Sequence, residues 1–349
     1  MVSSPKPEIV ARFFELLGAG DLDAALALTT EDVVLDRSNS YAPWRGVAAG
    51  HQAVRETYAE FREPVDDVTW TMSDSRMVGS ELVAIATEIA VRGTTSGISA
   101  LAHGGWLVRF SGDLIAEGEL HQSFEDATLA GRRRLLDAAR LYFVCEALPG
   151  GRDPGPLLEA AIAGGVDVIQ LREKAPRCAE ELIAFAEPFA RAARERGALF
   201  FLNDEPGLVE ACAADGVHVG QDDEPVAAAR AAAGDAALVG LSTHSPAQFD
   251  AALAAPGGAG PDQISAGPVW ETPTKPGRPA AGLELIEHAA RAGGGAPWFA
   301  IGGIDCANVG EVVAAGARRI VVVRAIRDAA DPEAAARELR AALAAEPEG

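Results

Sequence analysis

Lysine is nearly missing from this 349-residue chain: Lys6, Lys174 and Lys275 are the only three, and arginine supplies the other 27 basic residues. Cysteine is scarce too. Cys145, Cys178, Cys212 and Cys306 are scattered without a CxxC pair, which argues against a disulfide framework or structural zinc and suits a reducing cytosol. No apolar run approaches the roughly 18 residues of a membrane span. The opening residues are polar with two prolines, so no signal peptide is expected. Positive charge is outweighed throughout: the formal net charge is -21 and the pI about 4.7. That argues against nucleic-acid or anionic-membrane partners, since both halves are acidic. The expectation is a soluble cytoplasmic protein in which any phosphate site is a local basic spot.

What is present divides into two parts: residues 1–128, a linker at 129–140, and residues 141–345. From 141 onward short apolar runs alternate with alanine-rich helical stretches. The runs fall at 141–147, 166–172, 199–203, 216–220, 238–243, 263–269, 298–304 and 320–326. Continuous apolar strands are buried on both faces, as in parallel sheets. Eight such units in about 205 residues match a (β/α)₈ TIM barrel. A doubly wound sheet seldom needs eight strands and usually shows a glycine-rich first turn, absent after Ala147. The fold class expected is therefore α/β, a barrel preceded by a smaller α+β domain.

A barrel keeps its chemistry at the C-terminal ends of its strands, where the loops converge. The polar exceptions to the apolar pattern fall there, at seven of the eight ends. A single loop aspartate is ordinarily there for solvation; a whole ring of phosphate- and metal-competent groups is harder to dismiss. Asp204 and Asp223 lie just past neighbouring strands, and paired carboxylates without His or Cys suit Mg²⁺, which completes its shell with water and phosphate oxygens. Arg172, Lys174 and Lys275 would clamp a diphosphate bridged by that metal and stabilise its departure. The ammonium groups offer compact point charges where a planar fork would not fit. Gln170, Asn203 and Ser242 could orient the rest of the ligand. Gly302-Gly303, beside Val323 and Arg324, suggests a second anion site at the last two strands. No strong protein nucleophile is evident, which suits chemistry driven by positioning and ionisation.

The runs Gln170-Leu171-Arg172-Glu173-Lys174, Leu202-Asn203-Asp204, Asp215 through Asp223, Leu241-Ser242-Thr243-His244, Gly267 through Lys275 and Ala300 through Ile304 resemble thiamine-phosphate synthase. The resemblance covers 140 to about 344. It implies a Mg²⁺-dependent transferase joining hydroxymethylpyrimidine diphosphate to hydroxyethylthiazole phosphate with release of pyrophosphate. Gln170, Arg172, Lys174, Asn203, Ser242 and Lys275 would hold the pyrimidine diphosphate, with Arg172, Lys174, Ser242 and Lys275 as the catalytic set. Asp204 and Asp223 would bind the metal. Thr272, Thr274, Gly303, Val323 and Arg324 would hold the thiazole phosphate. Arg324 stands where many members carry Ser, and Trp270-Glu271 replaces the family's usual pair. A thiazole tautomerase on the same barrel, with a base such as His244, is the main rival; a non-catalytic sensor of the pathway is another.

Residues 1–128 resemble the SnoaL-like (nuclear-transport-factor-2-like) superfamily. The signs are an opening helix with Ile9, Phe13, Phe14, Leu16 and Leu17 on one side, Gly20-Asp21-Leu22, the run Ala42-Pro43-Trp44-Arg45-Gly46, and a terminal hairpin. The resemblance implies a cone of helices on a curved antiparallel sheet. Such cups serve enzymes, carriers and dimerisation surfaces alike, so a homo-oligomer stays open. Asp36, His51, Trp70, His103, Trp106 and His121 are the candidate cup residues, and a His–Asp pair there could transfer protons. The Arg132-Arg133-Arg134 run is expected to be a solvated face or an interdomain contact.

Overall fold

The structure is a computed structural model and describes residues 5–39, 45–94, 97, 99–173, 177–255, 258–271 and 279–344, apart from the side chain at 66. The chain divides into two compact units, Met1–Gly131 and Arg132–Gly349. Among the described residues no helix is long and apolar enough to cross a membrane.

The first unit opens on helix Lys6–Ala19, which buries Val10, Phe13, Phe14, Leu16 and Leu17. Gly20 ends it in the left-handed conformation (φ 79°), where a residue without Cβ is unstrained. Asp21 then caps helix Leu22–Leu26 by accepting the Ala24 amide at 3.1 Å. Six strands follow: β1 (Thr29–Asp36), β2 (Val47–Ala49), β3 (Val65–Val78), β4 (Leu82–Gly93), β5 (Ser99–Ser111) and β6 (Leu114–His121). Helix Gly50–Arg62 sits between β2 and β3 in the chain. The sheet order is β2-β1-β6-β5-β4-β3. It is not wholly antiparallel as expected: β1 pairs with β6 in parallel, Leu35 against Gly118. The last strand of the meander returns to the free edge of the first, and a list of strand runs carries no direction from which to read that.

The second unit is a closed parallel barrel of β7 (Leu141–Cys145), β8 (Val168–Leu171), β9 (Leu199–Asn203), β10 (Gly216–Val219), β11 (Leu238–Thr243), β12 (Gln263–Ala266), β13 (Trp298–Ile301) and β14 (Ile320–Val322). Closure joins β14 to β7 with Ile320 against Leu141. All eight expected strands form, but the last stops at Val322 and gives way to helix Arg324–Arg327. Periodicity cannot divide a short apolar run between strand and helix. Tyr142, Phe201 and Phe299 fill the interior, with Tyr142 5.8 Å and 5.7 Å from the other two ring centres. This is a packed core, not a pore.

Three aspartates work at the amino ends of the strands. Asp167, Asp215 and Asp262 each directly precede β8, β10 or β12. Each accepts a backbone amide from the start of the preceding strand: Leu141 at 3.0 Å, Phe200 at 2.9 Å and Val239 at 2.8 Å. Each also has an arginine, and here the triple-arginine expectation is corrected. Arg133 and Arg134 in helix Phe124–Ala138 are exposed, as a solvated face would be, but Arg132 is not. Arg132 is buried and donates to Asp215 at 2.9 Å and to the Ala236 carbonyl at 2.7 Å. Arg133 and Arg230 share Asp262 at 2.8 and 2.9 Å, and Arg340 meets Asp167. Burial is tolerable because every charge finds an opposite one.

Candidate active site

At the other end of the strands lies a cavity of about 320 Å³. Gln170, Arg172, Asn203, Asp204, Asp223, Ser242, His244, Gly303, Val323 and Arg324 all line it. Lys174, Thr272, Thr274 and Lys275 lie outside the described residues. The structure thus brings together every expected barrel-site residue that it describes.

The acidic pair is made by backbone as much as by side chain. Asp204 follows β9 in the left-handed conformation (φ 63°), which residues other than glycine rarely adopt. Its amide donates to the His218 carbonyl at 3.0 Å, tying the turn to β10. Asp223 is fixed by accepting the Gly220 amide at 2.7 Å. Burial raises the Asp204 carboxyl to about 6, and the charge of Asp223 and a hydrogen bond with it push the same way. Half-buried Arg172 opposes that rise. Its own pKa is lowered by desolvation, while Asp204 and Asp223 pull it back up. Two carboxylates close enough to share a hydrogen bond, in partial burial and with Arg172 nearby, make an environment that a hard divalent ion would relieve. Among the described residues no group of three or more His, Cys, Asp or Glu could hold a metal, and an ion held by this pair would complete its shell with water and phosphate oxygens.

Beneath this pair the barrel interior is hydrogen-bonded. Gln170 donates to the Tyr142 hydroxyl at 2.8 Å, and burial holds that phenol well above its usual range, hence neutral. His218 links Ser242 Oγ at 2.9 Å to the Gln263 amide at 2.6 Å. Tyr142, His218 and Ser265 also line the cavity, and none was given a role from sequence. The available signal was a polar side chain inside a strand whose every residue is buried. Cys145 offers no nucleophile, for burial pushes its thiol up to about 12.

The glycine pair after β13 is required by geometry. Gly302 has φ 109°, and a Cβ there would lie 2.5 Å from Pro268 Cα. Gly303 has φ 73° and would meet Trp270 Cβ at 3.0 Å. The Trp270 amide donates to the Gly302 carbonyl at 3.1 Å, so the indole-bearing turn packs onto the glycines.

Residues 141–326, more than half of the chain, match the family model for thiamine monophosphate synthase. The chain belongs to that family. Thiamine-phosphate synthase of Acidothermus cellulolyticus is 50% identical over 207 residues, spanning 59% of this chain and 96% of the relative. The Thermus thermophilus enzyme is 53% identical over 58% of this chain and 97% of its own. Among solved structures, a thiamine phosphate pyrophosphorylase from Pyrococcus furiosus aligns with TM-score 0.52 and 29% identity, over 61% of this chain and 97% of that one. Residues 10–118 match the SnoaL-like domain model. The thiamine monophosphate synthase family therefore accounts for the barrel alone, and the first unit is a separate SnoaL-like addition.

Proposed function

We propose that the barrel condenses 4-amino-2-methyl-5-hydroxymethylpyrimidine diphosphate with hydroxyethylthiazole phosphate to give thiamine phosphate and pyrophosphate. The observation that carries this reading is the convergence of Asp204, Asp223, Arg172 and Asn203 on one cavity, in a barrel about half identical to enzymes bearing that name. Asp204 and Asp223 would hold Mg²⁺, which supplies neutralising charge for a diphosphate.

Arg172, with Lys174 and Lys275, stabilises the charge gathering on the departing group. The methylene C–O bond breaks with its electron pair leaving on pyrophosphate. The pyrimidine amino group stabilises the resulting cation, and the thiazole nitrogen forms the new C–N bond. Gln170, Asn203 and Ser242 orient the pyrimidine. Thr272, Thr274, Gly303, Val323 and Arg324 hold the thiazole phosphate, so the nitrogen waits within reach of a short-lived cation. No base or protein nucleophile is needed. Pyrophosphate release that depends on both substrates and on Mg²⁺ tests the reading; thiazole isomerisation without metal, with His244 as base, would replace it.

A further inference from the structure

The first unit holds its own cavity of about 230 Å³, between helices Lys6–Ala19 and Gly50–Arg62 and strands β1 and β3 to β6. Phe13, Phe14, Tyr58, Phe61, Trp70 and Trp106 bring aromatic walls to it. Phe14 and Trp70 stand 5.1 Å apart and tilted, with Phe61 6.0 Å from the same indole. The Tyr58 hydroxyl is engaged with the Leu17 carbonyl at 2.5 Å.

The groups that could transfer protons do not line it. Asp36 turns to the Ser38 amide at 2.8 Å, His51 to Thr29 Oγ1 at 2.9 Å, exposed His103 to Glu88, and His121 to Glu119 at 3.3 Å. No His, Asp or Glu is among the described lining residues; Arg37 is the one charged residue that is. Its Nε is buried without a hydrogen-bond partner among the described residues, and burial lowers its pKa while Glu60 and Asp36 oppose the fall.

Carbon walls give a water few of the two to four partners it needs, and every wall atom facing a void lacks its dispersion contacts. An apolar occupant restores them. A dry cavity of about 150 Å³ takes benzene, so this one has room for fused rings, and aromatic walls favour flat ligands through stacked and edge contacts. A partly desolvated guanidinium with an unpartnered Nε favours an oxyanion.

We propose that the first unit is a binding module for a fused-ring aromatic carboxylate, with the rings in the aromatic cavity and the carboxylate on Arg37, and that it performs no acid–base catalysis. The test uses the full chain with 2-naphthoate as probe, in excess thiamine phosphate and pyrophosphate to occupy the barrel mouth. Calorimetry should show one saturable site, with quenching of tryptophan emission. Arg37→Leu should weaken naphthoate by about tenfold or more yet leave neutral 2-methylnaphthalene unchanged. Ile89→Trp, which fills the cavity, should abolish both, with circular dichroism confirming the fold. Absence of saturable binding to the wild type at about 1 mM, or equal naphthoate affinity in wild type and Arg37→Leu, would overturn the proposal. Tighter binding of decanoate than of naphthoate would overturn it too, in favour of an acyl chain.

Discussion

The two cavities are built of opposite materials. In the barrel, charged and amide side chains stand at the strand ends, where partial burial has already stripped water from Arg172 and Asp204. In the first unit the wall is aromatic, and the histidines and carboxylates near it are paired elsewhere, which leaves Arg37 as the charged group on the wall. Charge made costly by desolvation stabilises a charged transition state; an apolar wall rewards shape and gives a proton nowhere to go. On this contrast the barrel carries the reaction and the cup carries only recognition.

The sharpest way to break the contrast is to remove charge from the barrel. Arg172→Ala should lower pyrophosphate release by roughly a hundredfold or more, about 2–4 kcal/mol of barrier, with the circular dichroism spectrum unchanged. Lys174→Ala and Lys275→Ala should each do the same, and near-normal turnover in any of the three would remove that side chain from the clamp. Next in size is Arg132→Ala, which strands Asp215 at the closed end of the barrel. Urea unfolding should show a loss of about 2–3 kcal/mol while the rate per folded molecule stays put. Gly302→Ala sets a Cβ against Pro268 backbone at a left-handed position. It should cost about 1–3 kcal/mol, and the KM for the thiazole phosphate should rise more than that for the diphosphate.

The smallest effect is a gain. The folded chain binds the Asp204 proton more tightly than the unfolded chain, with a carboxyl at about 6 against 3.8. Its ionised form therefore subtracts stability, a penalty that grows as pH rises from 3.8 through 6 and is complete above. At pH 7 without Mg²⁺, Asp204→Asn should melt higher, by about 1 kcal/mol or roughly 2–4 °C, while losing activity. Mg²⁺ should then raise the melting point of the wild type and not of the variant.

How far the sequence could be read depended on whether a residue broke its local pattern. Asp204, Asp223 and Arg172 interrupt or end apolar strands, so they stand out and the structure gathers them. His218 and Tyr142 are polar side chains inside buried strands, a signal that marks them as unusual without saying that they face the cavity. The aromatic cup is legible only as core, because Phe14, Trp70 and Trp106 serve a void and a packed interior by the same spacing. His51, His103 and His121 show the converse: a titratable type leaves chemistry open, but its partner is set by a fold that strand runs do not specify. The parallel pairing of β1 with β6 and the short helix at Arg324–Arg327 were hidden likewise, one by direction and the other by shared apolar composition.

The aspartates before β8, β10 and β12 stitch the barrel into couples: β7 with β8, β9 with β10, β11 with β12. Among the described residues β13 and β14 lack such a stitch and share only two register positions, Ala300 with Ile320 and Ile301 with Val321. Amide hydrogen exchange should therefore lose protection in twos, and the unstitched couple, which carries the glycine turn and Arg324, should open before the others.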